Sequence, residues 1–302
     1  MGLLARLDRK LLPLKRRIAA LTEPDITALP YPTYSQRIRD RHSRWFKEGR
    51  PHFAASLCGK REGAAYMEKL GYQVPEVYGD FASINDIPLL DQLPSSFVLK
   101  PNGGSSSKDV FLMRDGVNQF DGRRMTREDI IAAVSPTYKG GWTAEELLVH
   151  YDGRPGAPLD YKFFCLGARI LMIMVIERKS TTHFWKNRCW FRNPDWSRMR
   201  SRMRWDLYPE PFAPPKPPCL DEMMRIVTDV GGRLNIFTRI DMYATTRGPV
   251  FGEFTSFPGG GRHSTAVTDA WIGGLWQGEE GCGDPPVRAR QAEAPVGLTP
   301  AA

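Results

Sequence analysis

The sequence predicts an α+β fold, in which a few helices separate stretches of chain that are patterned as strands. Helical signals occur at residues 60–70, 127–134 and 221–230. The chain between the second and the third helix is largely β in pattern, and its apolar runs are short enough for buried strands. With 302 residues, of which 41% are hydrophobic, the chain can bury one large core or two modest ones.

The ends of the three helices carry recognisable signals. The Ala-rich helix at residues 60–70 closes at Gly71, because glycine readily adopts the left-handed conformation that ends a helix. Thr126 and Asp129 form a capping box that begins the second helix. The third helix, residues 221–230, is predicted to stop at the glycine pair that follows it.

The two ends of the chain differ from its centre. Residues 1–58 are predicted to form a basic helical arm, because their helical pattern is interrupted by prolines, which lack the N–H that a helix interior needs. Residues 277–302 have little hydrophobic pattern and are rich in Gly, Pro, Ala and charge, so we expect a disordered tail.

The composition excludes several classes of protein. No apolar run approaches the ~20 residues of a membrane-spanning helix. The N-terminal residues are basic and apolar, but charges interrupt any signal-peptide core and no small-residue cleavage site follows. The five cysteines are scattered and never spaced as C-x-x-C, so neither a disulfide framework nor a zinc site is indicated. We therefore expect a soluble, cytoplasmic protein without a transmembrane segment.

Positive charge is concentrated in two segments of a chain whose net charge is +8. Residues 1–50 hold twelve Lys or Arg against five Asp or Glu, which makes this arm a candidate for contact with an anionic membrane surface. Residues 178–205 hold nine Lys or Arg against one Asp, interleaved with aromatic side chains. This mixture favours stacking on a sugar or base beside anionic groups, although a solvated loop explains it equally well. The arginines taken as substrate contacts are Arg198, Arg200 and Arg202.

A first chemical signal is the segment FVLKPNGGSSSKDVFLM at residues 97–113. Two short apolar strands flank a loop, residues 102–108, whose backbone amides and hydroxyls are suited to wrapping phosphate oxygens. Lys100 at the end of the first strand adds a mobile point charge for phosphate. An ordinary Gly/Ser hairpin remains the alternative. The spacing excludes a Walker-type P-loop.

A second signal is the predicted hairpin at residues 237–261. Because side chains alternate along a strand, Arg239 and Asp241 share one face, and Glu253 and Thr255 share a face of the returning strand. Two carboxylates can therefore converge, and without nearby Cys or His they favour a hard cation such as Mg²⁺. The alternative is a surface ion pair between Arg239 and a carboxylate, which contributes little to stability.

Between these signals, Glu145 and Lys162 lie at the starts or ends of strands. Backbone after Glu145 offers N–H and C=O groups suited to an adenine edge, and Lys162 adds a cation.

Taken in order, the segments FVLKPNGGSSS, EELL, DYKF, RID and GEFT resemble the ATP-grasp superfamily, and most closely its TupA-like branch, which is associated with teichuronopeptide and other surface-polysaccharide gene clusters. The resemblance spans roughly residues 60–276.

The resemblance implies the roles of the matched residues. ATP binding falls on Lys60, Lys100, Asn102, Ser105, Ser106, Ser107, Glu145, Glu146, Leu147, Leu148 and Lys162. Magnesium binding falls on Asp241, Glu253 and Thr255. Catalytic charge stabilisation falls on Lys100, Lys162 and Arg239. Thr255 stands where many carboxylate-amine ligases carry asparagine, so one metal site is implied to be weaker or completed differently.

The resemblance also implies an ATP-grasp architecture, with two α+β subdomains clasping ATP between antiparallel sheets. The first subdomain is residues 59–150 with the phosphate loop, and the second is residues 151–276 with the Mg²⁺ site. Residues 1–58 remain the arm and residues 277–302 the tail.

The implied activity is a Mg-ATP-dependent carboxylate-amine ligase. It acts through an acylphosphate on an acidic sugar, amino acid or peptide, in surface-polysaccharide or secondary-metabolite biosynthesis, with an amine as co-substrate. Arg262 and His263 are candidate substrate contacts, and His263 could also accept the amine proton. A kinase acting on a glycan or small-molecule hydroxyl is one alternative. A non-catalytic binder of anionic glycan or nucleic acid is another, but it leaves Asp241 and Glu253 unexplained, and nucleic acid is disfavoured as a partner.

Overall fold

The fold is that of a computed structural model of the chain. The structure describes residue 26 and residues 28–103, 109–135, 138, 140–180, 186–199, 201, 203–204, 206–207, 210–212 and 214–283. Three serines of the predicted phosphate loop and two of the candidate arginines therefore lie outside the described residues. They are Ser105, Ser106, Ser107, Arg200 and Arg202.

Five strands in the first half of the chain form one antiparallel sheet. They are β1 (Val77–Phe81), β2 (Ser96–Pro101), β3 (Phe111–Arg114), β4 (Val117–Asn118) and β5 (Trp142–Glu146). Their spatial order is β1-β5-β2-β3-β4, so β2 and β3 form the predicted hairpin and β5 returns to pair with both β1 and β2.

Five strands in the second half form a second antiparallel sheet. They are β6 (Asp160–Leu166), β7 (Arg169–Glu177), β8 (Arg188–Arg192), β9 (Phe237–Thr245) and β10 (Gly248–Thr255). Their order is β10-β9-β6-β7-β8, which makes β6 the central strand. All seven residues of β6 are buried, because helices cover one face and the other faces a cleft and a second layer of apolar side chains.

The helices lie outside these sheets. They are α1 (Tyr34–His42), α2 (Lys60–Lys69), α3 (Arg127–Ala133), α4 (Leu220–Leu234) and α5 (Ala266–Leu275), with a π-helical turn at Ser43–Lys47 and 3₁₀ turns at Phe53–Cys58, Ile84–Asp86, Leu90–Gln92 and Pro258–Gly261. The capping box predicted for α3 is present. In the part of the chain that the structure describes, no helix combines the length and apolar character needed to span a bilayer.

The predicted end of α4 at the glycine pair is wrong. The helix continues through Gly231 and Gly232 and ends at Asn235, which adopts the left-handed conformation. Gly231 serves a different purpose, because a Cβ there would lie 2.3 Å from the carbonyl oxygen of Gly167 in the turn between β6 and β7. The glycine lets the helix approach that turn closely.

The two faces of the second sheet are covered by different layers. On one face, Phe163 and Ile240 pack with Val227 of α4 and Met67 of α2. The opposite face is covered at one end by α1 and α5, where Tyr34 and other apolar side chains surround Phe237. The remainder of that face is open and forms the floor of a cleft. A third cluster lies in the first sheet against α3.

The arm and the tail meet in the core of the second subdomain. Arg41 of α1 is fully buried and donates hydrogen bonds to the carbonyl oxygens of Phe237 (2.7 Å), Ser256 (3.1 Å) and Glu280 (2.7 Å). Its Nε also lies 2.8 Å from Oε2 of Glu280. Residues 277–283 thus differ from the expected disordered tail, because the carbonyl oxygen of Glu280 accepts hydrogen bonds from Phe237 at the start of β9 and from Arg41 of α1, while residues 284–302 lie outside the described residues.

Replacing Arg41 with Met is expected to destabilise the fold by about 3 kcal/mol, because it removes a buried donor from the carbonyl oxygens of Phe237 and Ser256 and a buried cation from the Glu280 carboxylate, which keeps Arg44 and Trp45 as partners. Burial lowers the pKa of Arg41 only to about 10, so the side chain is charged at neutral pH. Urea unfolding measures the change, with Arg39→Met on the exposed side of α1 as the matched control. Equal unfolding midpoints for Arg41→Met and wild type would contradict this role.

Candidate functional site

A cleft of about 880 Å³ separates the two sheets. The first sheet contributes the side chains of Val98, Lys100 and Leu112, and the second contributes the polar face of β6, β9 and β10. Because the cleft is walled by strands of both sheets, residues that are distant in sequence converge in it.

A row of charged residues crosses the floor of this cleft. Lys162 on β6 is directly opposite Asp241 on β9, which is directly opposite Glu253 on β10. The Lys162 ammonium group donates a hydrogen bond to the Asp241 carboxylate. The predicted faces of the hairpin are present, since Arg239, Asp241, Glu253 and Thr255 all line the cleft.

A β-bulge at Gly252 puts Glu253 in this row. Phe251 is opposite Met242, but Glu253 is opposite Asp241, so Gly252 is the extra residue of β10. In an unbroken ladder Glu253 would be opposite Ile240 and would point into the core. A side chain at position 252 would meet the ring of Tyr243 at 3.0 Å and the carbonyl oxygen of Asp241 at 3.1 Å, which explains the glycine.

Arg239 ties the two carboxylates together. Its Nε lies 2.6 Å from Asp241 Oδ1 and its terminal nitrogen lies 2.7 Å from Glu253 Oε1. Burial lowers the pKa of Arg239, but the negative charges of Asp241 and Glu253 raise it by more than burial lowers it. The guanidinium group therefore stays charged. Burial raises the pKa of Asp241 to about 6, although the positive charges of Arg239 and Lys162 act to lower it.

Asp160 is a site residue that the sequence analysis missed. It lines the cleft two residues before Lys162, and one of its oxygens, Oδ2, lies 2.8 Å from both Lys162 Nζ and a terminal nitrogen of Arg178. Burial alone would raise the pKa of Asp160, but these two cations lower it to about 2. Its other oxygen, Oδ1, is buried and accepts no hydrogen bond from the described residues. The strand period, which places Asp160 on the same face as Lys162, could have identified it.

Two lysines line the cleft on the side of the first sheet, Lys100 from β2 and Lys60 from α2. Lys100 at the end of β2 pairs with Glu145 on β5. Lys60, at the start of α2, donates a hydrogen bond of 2.6 Å to the carbonyl oxygen of Pro101. Asn102 is placed differently from the expectation, because its side-chain oxygen accepts a hydrogen bond from Thr143 and it is not part of the cleft lining.

The segment predicted to meet adenine lies at the back of the cleft. Leu147 and Leu148 are buried and line it, together with Glu146. The Glu146 carboxylate is held by Arg247 at 2.5 Å, and its N–H donates to the carbonyl oxygen of Glu76. This part of the cleft therefore combines apolar side chains with fixed backbone.

The protonation of Lys60 predicts a pH dependence. Burial, and next the charge of Lys100, lower the pKa of Lys60 to about 8. Above pH 8, Lys60 has lost its proton in the folded protein but keeps it in the unfolded chain, so the free energy of unfolding increases as the pH rises toward the ordinary lysine pKa. Over the same range the folded protein loses the Lys60 ammonium group that could bind a phosphate. If Lys60 contacts phosphate, we expect the affinity for ATP to fall about tenfold between pH 7 and pH 9.

Calorimetric titration of ATP across this pH range measures that effect, with Lys60→Met as the control. The variant is expected to bind ATP weakly and without this pH dependence. A wild-type affinity that stays level to pH 9 would show that Lys60 does not contact phosphate.

The other mouth of the cleft contains His263 but neither Arg198 nor Arg262, while Arg200 and Arg202 lie outside the described residues. His263 follows the 3₁₀ turn Pro258–Gly261 and lines the cleft, together with Arg204 and Asp206. Arg262 is not part of the lining. Arg198 is exposed and its backbone bridges β8 at Arg192, away from the cleft. Of the candidate substrate contacts that the structure describes, His263 lines the cleft, whereas Arg198 and Arg262 do not.

The residues of the cleft floor fit a hard cation that is completed by a nucleotide. Asp241 and Glu253 supply carboxylate oxygens on neighbouring strands, and the Thr255 side chain lines the cleft beside them. Among the described residues, no group of three or more His, Cys, Asp or Glu forms a complete metal cage. Mg²⁺ commonly takes one or two carboxylates and fills its remaining positions with water and phosphate oxygens, which matches this donor set.

Comparison with known proteins finds one family model and several solved structures to which this chain is similar. The family model for the TupA-like ATPgrasp matches residues 44–277. D-alanine–D-alanine ligase from Bacillus anthracis complexed with ATP is 15% identical, covering 74% of this chain and 62% of that chain with a TM-score of 0.45. VanG D-Ala:D-Ser ligase from Enterococcus faecalis is 16% identical, covering 75% of this chain and 60% of that chain with a TM-score of 0.45.

A third solved structure, L-amino acid ligase from Bacillus licheniformis, is 13% identical, covering 74% of this chain and 44% of that chain with a TM-score of 0.39. This chain spans less than two thirds of the length of these three proteins. No curated protein matches the sequence.

Proposed function

This chain belongs to the TupA-like ATP-grasp family, and from that premise we propose that it binds Mg-ATP in the cleft and uses it to join a carboxylate to an amine. The predicted α+β ATP-grasp fold is confirmed. The observation that carries the proposal is the convergence of Lys100 from one sheet with Lys162, Arg239, Asp241 and Glu253 from the other in one cleft.

The nucleotide is proposed to bind between Lys100 of the first sheet, Lys60 of α2, the segment that follows β5, and Asp160 of the second sheet. Lys60 and Lys100 supply cations for phosphate oxygens, and the buried Leu147 and Leu148 supply an apolar surface with backbone groups for adenine. Asp160 lines the cleft, and its buried Oδ1, which accepts no hydrogen bond from the described residues, suits a hydroxyl donor of the nucleotide because a lone buried acceptor is otherwise costly.

The second sheet is proposed to hold the metal and the transferring phosphoryl group. Asp241, Glu253 and Thr255 would bind Mg²⁺, which supplies charge neutralisation at the phosphate oxygens. Lys162 and Arg239 add fixed positive charge beside these carboxylates, so the floor of the cleft opposes the charge that develops during phosphoryl transfer.

The proposed reaction has two steps. A carboxylate oxygen of the substrate attacks the γ-phosphorus of ATP, so that an acylphosphate forms and ADP leaves. The amine then attacks the acyl carbon, the carbon–nitrogen bond forms, and inorganic phosphate leaves. We propose an acidic sugar, amino acid or peptide as the carboxylate, in surface-polysaccharide or secondary-metabolite biosynthesis.

A screen for phosphate release tests this function. Uronic acids, acidic amino acids and short acidic peptides are supplied one at a time with Mg-ATP, with and without an amine, and the products are weighed by mass spectrometry. Phosphate release that needs both a carboxylate and an amine supports the ligase. A phosphorylated product without phosphate release would indicate a kinase instead, and absence of ATP binding would overturn both activities.

A further inference from the structure

The turn between β9 and β10 contacts the side of the molecule that contains the first sheet. A terminal nitrogen of Arg247 in this turn donates a 3.0 Å hydrogen bond to the carbonyl oxygen of Val74 and one of 2.5 Å to the carboxylate of Glu146. Val74 precedes β1, and Glu146 is the last residue of β5. One guanidinium group on the second sheet therefore holds two segments on the side of the first.

The turn itself is held in a fixed conformation. The hydroxyl group of Thr245 donates a 2.8 Å hydrogen bond to the carbonyl oxygen of Gly248, and it accepts one of 3.2 Å from the N–H of Arg247. Thr245 is 4% exposed, so these hydrogen bonds are shielded from water. The side-chain amide of Gln73 donates a 3.0 Å hydrogen bond to the carbonyl oxygen of Arg247. Both the N–H and the carbonyl group of Arg247 are thus fixed.

Glu146 connects this contact with the cleft. Its Oε2 atom, which accepts the hydrogen bond from Arg247, accepts another of 3.2 Å from the N–H of Glu76. The N–H of Glu146 donates in turn to the carbonyl oxygen of Glu76 at 2.8 Å. Glu146 lines the cleft and is followed by the buried Leu147 and Leu148. Fixing its carboxylate therefore fixes the start of the segment that is proposed to meet adenine.

The far end of this segment contacts the same turn. The carbonyl oxygen of Val149 accepts a 3.2 Å hydrogen bond from the N–H of Thr246, which is the residue before Arg247. Leu147 and Leu148 consequently lie between two contacts with one turn of the second sheet. The apolar wall of the cleft is held by that turn from both sides.

We propose that Arg247 is a positioning residue for the base of the nucleotide, and that it acts through the carboxylate of Glu146. The inference rests on the proposed function and adds to it a residue that is not part of the cleft lining. With Glu146 held, residues 146–148 keep the arrangement that binds the base before the nucleotide arrives, so binding does not have to order them. Without Arg247, part of the binding free energy is spent on that ordering.

The exposure of the ion pair separates this role from support of the fold. The Arg247 side chain is 42% exposed and that of Glu146 is 24% exposed. Ion pairs with this much contact with water contribute little to stability. We therefore expect Arg247→Met to stay folded and to lose affinity for ATP.

Calorimetric titration with Mg-ATP tests the inference on the full-length protein. The variants are Arg247→Met, Arg247→Lys, Glu146→Ala and the double variant Arg247→Met/Glu146→Ala. Arg225→Met is the matched control, because Arg225 also forms an exposed ion pair, with Glu222 at 3.7 Å on α4. Circular dichroism and urea unfolding show whether each variant is folded.

We expect the dissociation constant of ATP to rise about fivefold in Arg247→Met. Arg247→Lys, which keeps a cation with three donors, should bind ATP within about twofold of wild type. In the Glu146→Ala background, Arg247→Met should change the affinity by less than about twofold, because the acceptor through which it acts is absent. Arg225→Met should match wild type.

Wild-type affinity in Arg247→Met would overturn the inference. So would an unfolded Arg247→Met protein, because the arginine would then be a structural residue. An undiminished effect of Arg247→Met in the Glu146→Ala background would show that Arg247 acts without Glu146, which also contradicts the inference. The failure of wild-type protein to bind ATP would instead overturn the proposed function, and the inference with it.

Discussion

Glu253→Gln is expected to abolish Mg-dependent turnover, with a loss of roughly 1,000-fold or more. Glutamine keeps the size of the side chain but removes the charge that a hard cation needs. Glu253 is directly opposite Asp241, and the bulge at Gly252 turns it to the cleft face. Thr255→Ala, which removes a neutral oxygen from the same face, is expected to cost much less.

The competing explanation for Glu253 is an ion pair with Arg239. The Glu253 side chain is 40% exposed, so that pair alone would contribute about 1 kcal/mol or less. Thermal unfolding with and without Mg-ATP, together with ADP release, separates the two explanations for wild type and both variants. Retained Mg-ATP stabilisation and near-normal turnover in Glu253→Gln would refute the metal site.

Lys100→Ala is expected to lower ATP turnover ~100- to 1,000-fold while the protein remains folded, because Lys100 supplies a point charge for phosphate at the end of β2. In the structure its ammonium group pairs with Glu145. Loss of this pair is a second explanation for any defect, and it must be measured separately.

Glu145→Gln is the matched control for that explanation. If Lys100 acts on phosphate, Glu145→Gln should keep most of the turnover that Lys100→Ala loses, while both variants lose the ion pair equally. Turnover and circular dichroism are measured for both. Normal turnover in Lys100→Ala, or equal defects in the two variants, would contradict the assignment of Lys100 to phosphate.

The sequence predicted the parts of the site that depend on local periodicity. The alternation of side chains along a strand put Arg239 and Asp241 on one face of β9, and the structure has them there. The same rule put Glu253 beside Thr255, but the sequence did not reveal that a bulge at Gly252 is what brings Glu253 opposite Asp241. Strand period is local, whereas register across a hairpin depends on such irregularities.

Contacts between distant segments could not be predicted. Asp206 lies next to His263 because the backbones of Arg204 and Ser264 form an isolated β-bridge. No spacing of residues in the sequence predicts that bridge. The glycine pair in α4 misled the helix prediction for a similar reason. Gly231 is required by the approach of a turn some sixty residues earlier in the chain, which outweighs its low helix propensity.

The buried guanidinium group of Arg41 in α1 limits where this chain can be truncated without loss of its core contacts. The homologous segment covers residues 44–277, yet Arg41 lies before it and Glu280 lies after it. A fragment trimmed to those limits would lose both members of the pair and would expose the apolar surface around Phe237 that α1 covers. We therefore expect the chain to unfold as a cooperative unit that is larger than the homologous segment. Limited proteolysis at either margin should then release material that aggregates rather than a stable domain.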